Sequence, residues 1–301
     1  YAAEMMVEAL RIGILTKDVN AYGSVTLLNA LRKRGIPGTC MSFPQFVARI
    51  GYKPYLSVGR RDLLKDLSAL IVRPIGRGSL EEIVFRMDML HRLQRMGLYI
   101  INPPEAIERC VDKYAILAIL EENGIPVPRT AVTESQDEAL RAFHDLGGDV
   151  IVKPIFGSRG VGSTRISDPE IAQTVFSAIT FYHGVIYIQE YVPHGFSDIR
   201  AFVIGDHVAA AMRRVATSWK TNYSQGARPE PIKLDSEMEE LAVKSAKLVK
   251  CKVAGVDILE APNGPLVVEV NSQPGWRGLQ SVTSVNIAEA IVDFVLSELK
   301  T

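Results

Sequence analysis

Two acids and an amide close to the end of the chain have the types and spacing to hold a metal ion. Asp257 lies in the strand-like run Ala254-Gly255-Val256-Asp257-Ile258-Leu259, and Glu269 lies in a second, Leu266-Val267-Val268-Glu269-Val270, with Asn271 just beyond it. Between the runs, Pro262-Asn263-Gly264-Pro265 is turn chemistry, so the segment reads as a hairpin. A turn centred on Asn263, the midpoint of positions 257 and 269, puts Asp257 directly across from Glu269. Cross-strand neighbours hold their Cβ atoms about 4.5–5.5 Å apart. Glu269 and Asn271 are two residues apart and share a strand face. Such a patch offers two carboxylates and an amide oxygen. That hard-oxygen set suits Mg²⁺, which takes one or two protein carboxylates and leaves its other positions to water and phosphate. The competing reading is the exposed acidic face of an ordinary hairpin.

A second group suits phosphate. Lys153 ends an apolar strand directly before Gly157-Ser158-Arg159-Gly160-Val161-Gly162. Glycines let backbone approach an anion closely, and successive N–H groups can cradle phosphate. The loop is neither a Walker A motif nor a dinucleotide fingerprint, because no Gly-Lys-Ser/Thr ends it and it leads into a strand. Lys113 starts a helix, against the macrodipole, which hints at phosphate contact. Gln189-Glu190-Tyr191-Val192 closes a strand and reads either as a linker whose backbone meets an adenine edge or as a plain strand end. Asp198 and Arg200 share a strand face, and Arg213, Arg214, Lys220 and Asn222 follow. Arginine forks suit planar oxyanions, although surface ion pairing is the bland alternative. The five histidines form no i, i+4 pair and none is assigned to catalysis; no G-x-S-x-G supports a serine hydrolase.

These residues need a scaffold of two or three compact units, which 301 residues provide. The apolar strand over residues 10–15, a helix near 24–34, a strand over 69–72, a helix over 80–96 and a strand over 98–101 predict an open α/β domain with a parallel sheet. Helices over 112–123 and 137–146, the strands flanking the glycine loop and a helix opened by Pro169 make a second unit. Strands over 185–192, 199–203 and 207–212, a helix over 237–249, the hairpin and a closing helix make a third. The expected boundaries are 1–101, 102–185 and 186–301. Lys+Arg and Asp+Glu are 34 each, which argues against a large nucleic-acid footprint. Cys40, Cys110 and Cys251 are scattered without a CxxC pair, predicting small buried hydrophobes in a reducing compartment and no zinc site. No apolar run is long enough for a membrane span and no signal peptide is evident, so a cytoplasmic protein is expected.

Taken in order, Asp112-Lys113, Val152-Lys153-Pro154 with the glycine loop, Gln189-Glu190-Tyr191-Val192, Asp198-Ile199-Arg200, Asn222, Gly255-Val256-Asp257 and Glu269-Val270-Asn271-Ser272 with Pro274-Gly275 resemble the ATP-grasp fold. More narrowly, they resemble the RimK-type amino-acid ligases, over roughly residues 100–299. The resemblance implies that Lys113 and Lys153 contact ATP phosphates and that the loop of Gly157, Ser158, Arg159, Gly160, Val161 and Gly162 closes over them. It implies that Gln189, Glu190, Tyr191 and Val192 hold adenine, with Asp198 near the ribose. Arg200, Arg213 and Asn222 should face the γ-phosphate and the reacting carboxylate. Asp257, Glu269 and Asn271 should hold two Mg²⁺ ions, replaceable by Mn²⁺. Arg73-Pro74-Ile75-Gly76 matches a family stretch at the interdomain cleft, and the resemblance implies that it touches the acceptor.

Within the family, residues 85–97, Cys110-Val111-Asp112-Lys113-Tyr114 and Trp219-Lys220-Thr221-Asn222 are most similar to enzymes that glutamylate tetrahydromethanopterin-type coenzymes. The implied reaction joins L-glutamate to a small carboxylate acceptor through an acyl phosphate. The implied assembly is a homo-oligomer, with neither nucleic acid nor membrane as partner. Two departures bear on the acceptor. Tyr223-Ser224-Gln225-Gly226-Ala227 replaces a basic, glycine-paired stretch of the ribosomal-protein-modifying members, and Trp276-Arg277 stands where smaller or acidic residues are common. The rivals are ligation onto a protein C-terminus or another coenzyme tail, and a nucleotide-binding regulator without catalysis.

Overall fold

The computed structural model describes residues 10–157 and 160–300. Its first part runs β1 (Ile12–Leu15), α1 (Tyr22–Lys33), β2 (Gly38–Met41), β3 (Phe46–Ala48), β4 (Leu56–Val58), β5 (Arg61–Asp62), α2 (Leu63–Asp66), β6 (Ala69–Val72), α3 (Leu80–Arg95) and β7 (Tyr99–Ile101). Four strands form a parallel sheet in the order β2-β1-β6-β7. The central strands IGIL and ALIV are apolar throughout because both sheet faces are covered. Leu27, Ala30 and Leu31 of α1 pack on one face, and Met87, Leu90 and Leu93 of α3 pack on the other. A capping box fixes the start of α3, where Ser79 and Glu82 exchange side chain–backbone hydrogen bonds. The antiparallel meander β3-β4-β5 was not legible in the sequence, since strands this short carry no periodicity.

The middle part runs α4 (Pro104–Val111), α5 (Lys113–Glu122), β8 (Thr130–Thr133), α6 (Gln136–Asp145), β9 (Val150–Lys153), β10 (Thr164–Ile166), α7 (Pro169–Phe181) and β11 (Ile186–Glu190). Its antiparallel sheet has the order β10-β9-β11-β8 and is backed by Phe143 of α6 and Phe176 of α7. The expected boundary at 185/186 is therefore corrected. The strand at 186–190 pairs with β8 and β9 and belongs to this sheet. Alternation identifies a strand but not its partners. Likewise α4 and α5, expected in the middle unit, send Ala106, Ile116, Leu117 and Leu120 into the core of the last sheet.

The last part runs β12 (Ser197–Ile204), β13 (His207–Val215), β14 (Arg228–Pro231), α8 (Ser236–Leu248), β15 (Val253–Ala261), β16 (Gly264–Asn271), α9 (Arg277–Gln280) and α10 (Ile287–Glu298). The antiparallel sheet order is β14-β13-β12-β15-β16. Ala242 and Ala246 of α8 cover one face, beside Ile199 and Val256. On the other face, Phe202, Ile204 and Val253 pack under Trp276 and α10, in one cluster that continues into α1 and the first sheet. Asn102, just past β7, locks this junction. Its Nδ2 donates to Val253 O and Ser272 O at 2.6 and 2.5 Å. Its Oδ1 accepts from Lys252 N and Val253 N at 2.8 and 2.9 Å, so the amide uses its full hydrogen-bonding capacity.

The cysteines are less scattered in space than in sequence. Cys110 and Cys251 place their sulfurs 3.5 Å apart, and contact with Cys110 together with burial pushes the Cys251 thiol well up. Among the described residues no helix is long and apolar enough to cross a membrane.

Candidate active site

The last hairpin brings its acids together by an unexpected route. From the turn inward the ladder pairs Ala261 with Gly264 and continues to Ile258 with Val267. The turn is therefore the two residues Pro262-Asn263, and that register alone would set Asp257 opposite Val268. A bulge between Asp257 and Ile258 shifts the ladder by one, so that Asp257 pairs with Glu269 and Gly255 with Asn271. The expected cross-strand pair forms, but the bulge rather than the turn produces it.

The same face of β12 and β13 supplies arginines. Asp257 is buried, and Arg200 grips both its oxygens through Nε and Nη2. Arg214 Nη2 lies 3.0 Å from Asp257 Oδ2 and 2.5 Å from Asp198 Oδ2. Thr221 donates to Asp198 at 2.6 Å. Burial pushes the Asp257 carboxyl up, but Arg200 and Arg214 outweigh it and hold the group below its ordinary range. Burial likewise works against the Arg214 charge, yet Asp257 and Asp198 raise its pKa above the usual value.

Arg213, expected at the γ-phosphate, is corrected by this arrangement. It stands opposite Ile199 in the ladder, on the face that α8 covers, and pairs with Glu260. Arg214 and Thr221 occupy the cleft instead. Only the register of β12 on β13, which is itself shifted by a bulge, distinguishes the two neighbouring arginines.

Across the cleft stand the two lysines. Lys153 ends β9 and donates to Gln189 Oε1 at 2.6 Å. Burial pushes its pKa down to about 8; Glu269 and Asp257 act upward and Lys113 downward. Lys113 opens α5 behind the N-cap Asp112, which accepts from Tyr114 N and Ala115 N. Its Nζ donates to Gly157 O at 2.9 Å and Ile155 O at 3.3 Å, pinning the start of the glycine loop. Burial lowers its pKa too, against the pull of Glu269 and Asp112. Gly157, Gly160 and Val161 line the cleft together with Asn222. Gly160 is left-handed and lies against Asn222 Oδ1, leaving no room for a Cβ. Gly162 also has positive φ. Ser158 and Arg159 lie outside the described residues.

Of the expected adenine residues, Gln189, Glu190 and Val192 line the cleft. The Gln189 side chain is already committed, to Lys153, Thr130 and Tyr187. Glu190 accepts from the Arg129 backbone and guanidinium. Tyr191 is not among the lining residues; its ring lies under Arg165, 3.4 Å from the guanidinium carbon. His194, read from sequence as an ordinary strand or surface histidine, is buried in the cleft wall between Val192 O and Trp219 O.

The donor set fits Mg²⁺. Among the described residues Glu269 makes no hydrogen bond or ion pair, and Asn271 uses only Nδ2, at 3.5 Å from Gly255 O, leaving Oδ1 available. Asp257 has spent three N–H contacts of the roughly four lone-pair sites a carboxylate offers. Among the described residues no three His, Cys, Asp or Glu side chains cluster in a metal-holding group. Lys113, Lys153, Arg214 and Lys220 line the cleft together with Glu190, Asp198, Asp257 and Glu269, and Arg200 holds Asp257 at its floor.

Comparison with known proteins gives this geometry a family. Residues 110–295 match the RimK-like ATP-grasp domain. The chain is 34% identical to the tetrahydromethanopterin:alpha-L-glutamate ligase of Methanococcus maripaludis, over 97% of this chain and 99% of that one. It is 36% identical to the enzyme of the same name from Methanocaldococcus jannaschii, over 80% and 83% of the two chains. Among solved structures, the ATP-grasp ligase PsnB complexed with minimal precursor, Mg and ADP superposes with a TM-score of 0.76 at 22% identity, covering 96% of this chain and 97% of that one.

Proposed function

The chain belongs to the RimK-like ATP-grasp family, and on that premise we propose that it is an ATP-dependent ligase joining L-glutamate to a carboxylate of a pterin-type one-carbon coenzyme. The observation that carries the reading is the opposition of Lys113 and Lys153 to the Asp257–Glu269 pair across one cleft.

An acceptor carboxylate attacks the γ-phosphorus of ATP, giving an acyl phosphate and ADP. The α-amine of glutamate then attacks the acyl carbon, phosphate leaves, the amine sheds its protons and an amide remains. The protein need only align oxygens and neutralise charge. Lys153 and Lys113 offset charge on the phosphates from the side of β9, and the 157–162 loop excludes water above them. Glu269 and Asn271, with Asp257 as the shared third ligand, would hold the metal. When bound, Mg²⁺ (two ions, or Mn²⁺ in their place) neutralises charge between the phosphates. Arg200 spends Nε and Nη2 on Asp257 and keeps Nη1 for the tetrahedral oxyanion; such a preorganised donor is worth about 3–4 kcal/mol. Asn222 steadies the closed loop through Gly160. Adenine lies along Glu190 and Val192, with the ribose near Asp198. In this reading the parallel-sheet unit, the β10-β9-β11-β8 sheet acting as a lid (the lid sheet) and the metal-bearing sheet divide the work among acceptor, nucleotide and ions. A cytoplasmic homo-oligomer completes the proposal.

Mass spectrometry of tetrahydromethanopterin incubated with the protein, ATP, Mg²⁺ and L-glutamate tests it. The expected product is heavier by one glutamyl unit. An unchanged coenzyme with all substrates present overturns this choice of acceptor.

A further inference from the structure

The parallel sheet has a topological switch point of its own, the place where such sheets form a ligand crevice. In the order β2-β1-β6-β7, helix α1 leaves β1 over one face and α3 leaves β6 over the other. The carboxyl ends of β1 and β6 therefore flank a topological switch point, where open α/β sheets bind ligands. Arg73 immediately follows β6 there. Its guanidinium lies over the Trp276 ring at 4.5 Å and donates from Nη2 to Pro274 O at 2.9 Å. Gly23, at the start of α1, is so close that a Cβ on it would stand 3.3 Å from Arg73 Nε, Arg73 Nη2 and Trp276 Cη2. No side chain caps α1.

Among the described residues two groups here are incompletely satisfied. Among the described residues no carboxylate pairs with Arg73, whereas Arg200, Arg213 and Arg214 are all ion-paired. Trp276 is 1% exposed, and its Nε1 is a buried polar atom with no hydrogen-bond partner. Burial without an acid lowers the Arg73 pKa to about 10. A charge kept in such a place at a cost to stability is a mark of function. The crevice also adjoins the reaction cleft. Pro274, which Arg73 contacts, packs on Gly255, and a Cβ on Gly255 would stand 2.9 Å from Pro274 Cβ and 3.0 Å from Arg200 Cδ.

We propose that Arg73, stacked on Trp276 at the carboxyl ends of β1 and β6, binds a substrate carboxylate other than the one being activated, and so selects a dicarboxylic substrate. A planar guanidinium held by an aromatic ring presents its fork to a carboxylate in fixed orientation. The proposal rests on the ligase reading above. The carboxylate belongs either to the incoming glutamate or to the acceptor.

Calorimetric titration of the full chain saturated with Mg·ADP, with L-glutamate and with tetrahydromethanopterin in separate runs, distinguishes these sources. Arg73→Met is expected to weaken one of the two at least tenfold and leave Mg·ADP affinity within twofold; the substrate affected identifies the source. Arg73→Lys, which keeps the charge and loses the fork, should fall between. The ligand-free Arg73→Met protein should melt close to or above the wild-type temperature, because a half-buried charge with no acid beside it has been removed. Wild-type affinity of Arg73→Met for both substrates, or failure of the wild type to bind either one, overturns the proposal. So does a fall in melting temperature accompanied by loss of Mg·ADP binding, which marks Arg73 as a mere support of the Pro274 loop. Mg·ADP binding by the wild type, measured first, tests the nucleotide reading independently.

Discussion

Lys153 Nζ lies 2.6 Å from Gln189 Oε1, and that amide oxygen is its hydrogen-bond partner in the cleft wall. An amide stabilises the ammonium less than a carboxylate in contact would, and burial brings its pKa to about 8. A triphosphate prefers the charged lysine and raises that pKa. Affinity is therefore full below pH 8 and falls as pH rises through it, and nucleotide binding above pH 8 takes up a proton. Calorimetry of ADP binding at pH 8.5 in buffers of different ionisation enthalpy should show uptake of up to about three-quarters of a proton, lost in Lys153→Met.

Glu269→Gln should abolish ligation while sparing the fold. Glu269 makes no ion pair or hydrogen bond among the described residues, so its neutralisation breaks no contact, although it removes the main upward pull on Lys153 and Lys113. The expected loss in kcat is at least about 10³, the scale of losing one preorganised charge-stabilising group. The melting temperature should stay within a few degrees. Wild-type turnover by this variant removes Glu269 from the metal site.

The neighbouring arginines should behave oppositely. Arg213→Ala removes a partly exposed pair with Glu260, worth about 0–1 kcal/mol, and should retain activity. Arg214→Ala leaves Asp198 and Asp257 buried with less compensation, which costs about 3–5 kcal/mol. Urea melts and turnover of both variants check the assignment. A severe loss of activity in Arg213→Ala with normal stability would restore that residue to the reaction.

Gly255→Ala should disable the enzyme through Arg200. The added methyl meets Arg200 and Pro274 at once, an overpacking that costs about 1–3 kcal/mol. The guanidinium must shift from Asp257 to relieve it. A variant that folds, binds Mg·ADP and turns over at least tenfold more slowly is the expected result.

Much of this was legible because single residues carry strong local signals. Pro262-Asn263 announced a turn, the glycines after Lys153 announced a loop, and the Ile83, Met87 and Leu90 spacing announced α3. What stayed hidden depended on pairing. The placement of β11 in the lid sheet, of α4 and α5 on the last sheet, and of Arg214 rather than Arg213 in the cleft follows from register and long-range packing. Local pattern does not encode these. Asp257 and Glu269 were matched correctly, yet with a wrong turn length and without the bulge that compensates for it. His194 escaped because its partners are two carbonyls, and backbone leaves no trace in a motif.

The four hydrogen bonds of Asn102 have a consequence for how the enzyme can move. They rivet the first sheet to the ends of the strands that bear the acids, so those two bodies travel as one anvil. Any opening of the cleft then falls to the β10-β9-β11-β8 sheet, which takes part in none of those four bonds, while the floor of the reaction chamber keeps its shape.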